Sequence, residues 1–157
     1  MNIGIIVYSQ TGHTVAVARA VADILRKKGH DVDIQLLRTK GAVKPRNSGF
    51  TIVNPPELDE FDALIFGTPV WAFTAAPVVI KFLKSIETLK GKKTLPFAVK
   101  GLPFNWTGGN QAINRMTEML VLNGADVCEG EIVHYGIKPN EEKMQALASR
   151  ISEKIIG

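Results

Sequence analysis

The chain has 157 residues, of which 45% are apolar and 22% charged, and its formal net charge is +4 at pH 7. This length and apolar content predict one globular domain over residues 1–157, with a sizeable buried core. The small positive excess forms no basic stripe with interleaved aromatic residues, which argues against a nucleic-acid partner.

The first apolar run is too short for a signal peptide or a membrane span, so we expect no membrane association. Cys128 is the single cysteine. It excludes an internal disulfide, suits a reducing cytoplasm and fits a core thiol better than a nucleophile. Because His13, His30 and His134 are far apart in the sequence, they predict no metal site.

The chain begins with a strand, a polar loop and a helix. Ile3 to Tyr8 is a short apolar run with β-branched residues, typical of a buried strand. The loop Ser9-Gln10-Thr11-Gly12-His13-Thr14 follows, and then an apolar stripe at helical spacing that ends near Gly29. The loop therefore lies at the amino end of a helix, where backbone N–H groups and the helix dipole favour an anion.

The composition of this loop indicates a single terminal phosphate. It has three hydroxyl side chains but no Lys or Arg, and both the G-x-x-x-x-G-K-[ST] and the G-x-G-x-x-G patterns are absent. A triphosphate or a dinucleotide pyrophosphate therefore fits poorly. The alternative is an ordinary helix start, capped by the side chain of Thr11 or Ser9.

The next elements continue the alternation. Asp31 to Leu36 alternates polar and apolar residues, which predicts a half-buried strand at a sheet edge. Residues 39–60 hold three prolines, two glycines and no helical stripe, and predict a long loop. Asp62 to Phe66 predicts a buried strand that ends in an apolar loop over Gly67–Thr74. A helix then begins at Pro77.

The last third predicts a strand over Thr94–Val99, a loop over Gly101–Asn110 and a helix closed by Asn123-Gly124. A fifth strand over Asp126–Val133 is interrupted near Gly130, and a final helix begins after Asn140. Strands that alternate with helices indicate a parallel sheet covered on both faces. The loops after the first, third and fourth strands then meet at one edge, where such sheets bind ligands.

These residues resemble the flavodoxin family. Ser9–Thr14 looks like the family's [ST]-x-T-G-x-T loop, Gly67-Thr68-Pro69-Val70-Trp71-Ala72 looks like its second loop, and Gly101–Asn110 falls at its third. The resemblance covers nearly the whole chain and implies the short-chain form. It implies a flavodoxin-like three-layer α/β/α sandwich, with a five-stranded parallel sheet of order 2-1-3-4-5.

The resemblance implies flavin mononucleotide (FMN) as the cofactor. Ser9–Thr14 would hold its phosphate, Trp71 would stack on the ring, and the other two loops would meet the ring edges. No side chain is needed as a catalytic acid or base. The implied cofactor-binding residues are Ser9, Gln10, Thr11, Gly12, His13, Thr14, Thr68, Pro69, Val70, Trp71, Ala72, Phe73, Gly101, Asn105, Trp106, Thr107, Gly108 and Gly109.

The implied function is electron transfer through FMN to a redox partner protein or from an NAD(P)H-linked reductase. An electron carrier fits better than a turnover enzyme. Two alternatives stay open: an FMN-dependent NAD(P)H oxidoreductase acting on quinones or flavins, and a non-redox binding module with the same fold. The oxidoreductase would need a site for a nucleotide phosphate. The ligand end of the second strand is followed by four basic residues that could bind it: Arg38, Lys40, Lys44 and Arg46. The chain departs from typical flavodoxins in being basic and in having Ala72 where many have glycine.

Overall fold

A computed structural model describes residues 1–44, 49–71, 73–101, 108–134 and 141–157. The strands are β1 Asn2–Val7, β2 Asp31–Leu36, β3 Arg38–Lys40, β4 Thr51–Val53, β5 Ala63–Trp71, β6 Thr74–Ala75, β7 Lys93–Lys100, β8 Asp126–Val127 and β9 Glu131–His134. The helices are α1 His13–Lys27, α2 Pro77–Ser85, α3 Gly109–Leu122 and α4 Glu141–Ile156.

The central sheet is parallel and has the order β2-β1-β5-β7-β8, with β9 also pairing β7. The predicted order 2-1-3-4-5 is confirmed, with β8 and β9 as two parts of the fifth strand. They are separated at 128–130, where Gly130 lies so close to β7 that a Cβ on it would fall 2.9 Å from the carbonyl oxygen of Pro96. The predicted position of Asp31–Leu36 at the sheet edge is also confirmed.

Alternate residues of the strands supply two separate cores. Ile5, Ile65 and Phe97 point to one face, where they pack with buried residues of α1 and α4. Ile6, Phe66 and Ala98 point to the other face and pack with α2 and α3. The molecule is therefore the expected three-layer α/β/α sandwich.

Two predictions about loops are wrong. The segment Gly67–Trp71 is not a loop but the continuation of β5, since Pro69 still pairs with Val99 of β7 and Trp71 then pairs antiparallel with Thr74 of β6. Residues 39–60 are also not structureless, because β3 and β4 form an antiparallel ribbon. The ribbon is held down by Phe50, which is 3% exposed, and by Ile52, which packs on the core shared with α2 and α3.

Gly67 is needed for the packing of β5 against β7. It lies directly opposite Phe97 in the parallel pair, and a Cβ built on it would fall 2.2 Å from Cζ of the Phe97 ring. The ring thus covers the glycine backbone, and both residues are buried. A strand glycine of this kind marks a close approach rather than a turn.

We expect Gly67→Ala to lower the free energy of unfolding by about 1–3 kcal/mol, because the added methyl overpacks the core. In a Phe97→Leu background the same change should cost clearly less, since the smaller side chain leaves room. Urea unfolding of the four proteins in this double-mutant cycle measures the coupling. Equal penalties in both backgrounds would show that the Phe97 ring is not the obstacle.

Candidate functional site

The loop between β1 and α1 is a tight turn that leaves the helix start without a side-chain cap. Gly12 is the N-cap residue, with φ 88°, and its N–H donates to Oγ of Ser9 at 3.1 Å. No side chain caps α1, so the alternative of an ordinary cap by Thr11 or Ser9 is wrong. The hydroxyl of Ser9 closes the turn instead of satisfying the first helical amides.

The same turn is open toward solvent. Gln10, Thr11 and Gly12 are exposed, and a Cβ on Gly12 would meet nothing within 4 Å. Behind them Thr14 is only 2% exposed. The first turn of α1 contains no acidic residue that would offset the positive end of the helix dipole. This arrangement fits a small anion such as a phosphate.

The second part of the site is the β5–β6 hairpin. Trp71 is half-buried, and its ring meets that of Tyr8 edge to face, with 5.6 Å between centroids and 82° between planes. Tyr8 directly follows β1, so the hairpin's aromatic residue is supported from the side of the Ser9–Thr14 turn. Burial raises the pKa of the Tyr8 hydroxyl above its ordinary value.

The hydroxyl of Thr68 is used inside this hairpin. It donates to the carbonyl oxygen of Pro69 at 2.8 Å and accepts from the N–H of Ala76 at 2.9 Å, in a residue with no exposed surface. It thereby fixes the end of β5 to the residue that precedes α2. Thr68 shapes the hairpin from beneath and does not present its hydroxyl to the ligand edge.

The hairpin meets the third loop at a backbone contact. Gly108 is buried, has φ 103° and is the N-cap of α3. A Cβ on Gly108 would fall 2.3 Å from Cα and from the carbonyl carbon of Phe73. Phe73 itself has φ 68° and is 50% exposed. The predicted residues Pro69, Val70, Trp71, Phe73, Gly108 and Gly109 are thus brought to one edge with Ser9–Thr14.

Some predicted residues lie outside the described part of the chain, namely Ala72, Asn105, Trp106 and Thr107. Gly101 is described and exposed, at the start of that third loop. Sequence reasoning missed Tyr8 as a neighbour of Trp71. It also missed Lys100, whose signal was a single cation at the end of the apolar run Thr94–Val99.

Cys128 lies away from this edge, between β8 and β9. Its Sγ lies 3.6 Å from the carbonyl oxygen of Lys154, and burial raises the pKa of the thiol. A raised thiol pKa leaves little thiolate at neutral pH, so Cys128 is not an activated nucleophile. Over the described residues, no group of three or more His, Cys, Asp or Glu side chains could hold a metal ion.

No helix within the described ranges is both long and apolar enough to cross a membrane.

Gly108→Ala should separate the hairpin from the third loop. The added methyl clashes with the Phe73 backbone, and positive φ costs alanine about 1–2 kcal/mol. We expect a loss of unfolding free energy of about 2 kcal/mol or more, with a changed tryptophan fluorescence spectrum. Gly101→Ala is the control, since a Cβ there meets nothing within 4 Å. If both variants behave alike, the contact with Phe73 is not a constraint.

No family model matches the chain. Solved flavodoxin structures match it over its whole length. Flavodoxin 2 from Bacillus cereus has a TM-score of 0.76 at 22% identity, with 99% of this chain and 98% of that chain covered. A flavodoxin from the domain Archaea has a TM-score of 0.71 at 21% identity, with both chains fully covered. The fold expected from the resemblance is therefore confirmed.

A curated relative gives a partial sequence match. The NAD(P)H dehydrogenase (quinone) of Archaeoglobus fulgidus is 36% identical over 77 residues. The match covers 41% of this chain and 40% of the relative, so the two are alike over less than half of either sequence.

Proposed function

We propose that this flavodoxin-fold protein binds FMN and transfers electrons. The observation that carries the proposal is the start of α1: an open turn with no side-chain cap and no acid in its first turn, at the same sheet edge as Trp71. When bound, FMN accepts and donates one or two electrons, and the protein supplies binding, orientation and electrostatics.

Different residues of this edge would contact the phosphate, the ring face and the ring edges of FMN. Ser9–Thr14 would hold the phosphate with backbone N–H groups and hydroxyls, because the helix dipole favours a negative charge there. Trp71, supported by Tyr8, would offer a ring face for stacking. Backbone groups of Val70 to Phe73 would meet the N5 edge of the flavin ring, and the loop from Gly101 to Gly109 would meet its pyrimidine edge.

We expect FMN to bind more tightly than riboflavin or FAD. Riboflavin lacks the phosphate and forgoes charge-assisted hydrogen bonds of about 1.5–3 kcal/mol each. FAD carries a second phosphate and an adenosine for which the sequence offers no Gly-rich loop. Quenching of flavin fluorescence during titration measures the three affinities.

The variant Thr11→Ala sharpens this test. The side chain is exposed at the open turn, so its loss should weaken FMN binding and leave riboflavin binding unchanged. Equal affinities of the wild type for FMN and riboflavin would contradict a phosphate site. A colourless protein that cannot be reconstituted with FMN would instead support the non-redox binding module.

Trp71→Ala should weaken FMN binding roughly tenfold, because a ring pair contributes about 0.5–1.5 kcal/mol beyond area burial. The fluorescence of the bound flavin should rise as its quenching neighbour is lost, and its reduction potential should shift. Trp71→Phe keeps a ring and is the matched control, with smaller changes in all three quantities. Wild-type behaviour of Trp71→Ala would assign the residue to packing alone.

The second candidate function is an FMN-dependent NAD(P)H:quinone oxidoreductase. The partial match to the archaeal quinone enzyme favours it. The ribbon also favours it, because its exposed basic residues Arg38 and Lys40 lie on one face, where they could bind a nucleotide phosphate. Steady NAD(P)H oxidation with a quinone acceptor would separate this enzyme from an electron carrier. For the carrier, reduced FMN is reoxidised by a partner and NAD(P)H is not consumed in turnover.

A further inference from the structure

We infer that Lys100 raises the reduction potential of FMN bound at this edge, by placing a buried positive charge beside the reduced ring. The inference rests on the proposed function. Lys100 is the last residue of β7 and is 9% exposed. Among the described residues it is the one charged side chain that is buried.

The backbone and one contact fix the direction of this side chain. Leu95, Phe97 and Val99 face the core shared with α1 and α4, so Lys100, one residue further, faces the α3 side. Its Cδ lies 3.4 Å from where a Cβ on Gly109 would stand. The stem of Lys100 therefore runs beneath the first turn of α3, next to the loop proposed to meet the flavin ring.

The sequence at the carboxyl ends of β7 and β9 contains no acidic residue. Neither 101–109 nor 132–140 contains Asp or Glu. The first turns of α1, α2 and α3 also contain none. Glu131, at the far end of β9, lies 2.7 Å from Lys154 and 3.4 Å from Arg150. A charge in such a water-poor position acts on its neighbours more strongly than one at the surface.

The chemistry follows from the charge change on reduction. The oxidised ring of bound FMN would be neutral; two electrons from a reduced partner or from dithionite, with one proton from water, would convert it to a monoanion. The added negative charge lies at the pyrimidine end, the end proposed to face the third loop. A nearby cation stabilises the anion more than the neutral ring, and thus favours the reduced protein.

The experiment compares two lysines of one strand. Lys100→Met removes the buried charge with an apolar side chain of similar length. Lys93→Met removes a charge at the other end of β7, about 23 Å away, where Lys93 donates to the carbonyl oxygen of Gly157. Both variants have the same net charge. Lys100→Arg keeps the charge and guards against a purely structural effect.

FMN affinity is measured first for every protein. A failure of the proposed function, which is a lack of FMN binding, is therefore recognised separately from an unchanged reduction potential. Potentials are then measured anaerobically against reference dyes from pH 6 to 9. We expect Lys100→Met to lose roughly tenfold in preference for reduced over oxidised FMN, or about 30 mV for a two-electron couple. In a plot of reduction potential against pH, the pH at which the slope changes should be higher for Lys100→Met than for the wild type. Lys93→Met and Lys100→Arg should match the wild type.

Equal potentials of Lys100→Met and Lys93→Met, with FMN bound in both, would overturn the inference. A lowered potential in Lys100→Arg would also overturn it, because the charge is still present. Absence of FMN binding by the wild type would remove the proposed function and this inference together. If Lys100→Met does not fold, Lys100→Gln replaces it against Lys93→Gln with the same expected difference.

Discussion

The structure depends on β5, which pairs in parallel with β1 on one side and with β7 on the other. Parallel pairing makes the loops after all three strands leave from one edge, whatever their sequences. Gly67 lets β5 and β7 pack this closely, because it leaves space for the Phe97 ring. Strand pairing thus places the loops of the proposed site at one edge, and the composition of the loops determines only what that edge can bind.

The three loops are also tied to each other. Tyr8 joins the end of β1 to Trp71 through an edge-to-face ring contact, and Gly108 joins the start of α3 to the backbone of Phe73. Both contacts link residues that are distant in sequence. These two contacts hold parts of the edge in place without a ligand, which reduces the ordering cost of binding there.

Sequence patterns predicted what is local. The apolar run of β1, the stripe of α1 and the proline at the start of α2 each indicate their element from neighbouring residues, and their alternation predicts the sheet order. The composition of Gly67–Trp71 is typical of a loop, but pairing with β6 and β7 overrides it and makes β5 longer than its local sequence indicates. The ribbon has no clear local signal, because its strands have three residues each and depend on packing by Phe50 and Ile52.

The site was predicted to a similar extent. The start of α1 was recognised because hydroxyls, a glycine and a helix stripe are adjacent in sequence. The contact between Gly108 and Phe73 could not be recognised, since 34 residues separate the two and the chain returns only through β7. The sequence likewise shows Lys100 as a single cation after an apolar run. Its position under α3 depends on the fold and cannot be predicted from neighbouring residues.

The positive φ of Phe73 has a consequence for local stability. A left-handed backbone costs a non-glycine residue about 1–2 kcal/mol, and Phe73 is also half exposed. The two-residue strand β6 has few pairings to offset that strain. The hairpin should therefore open more often than the sheet beneath it, with faster amide hydrogen exchange. A ligand seated against it would slow that exchange, so protection of these amides would report occupancy of the site.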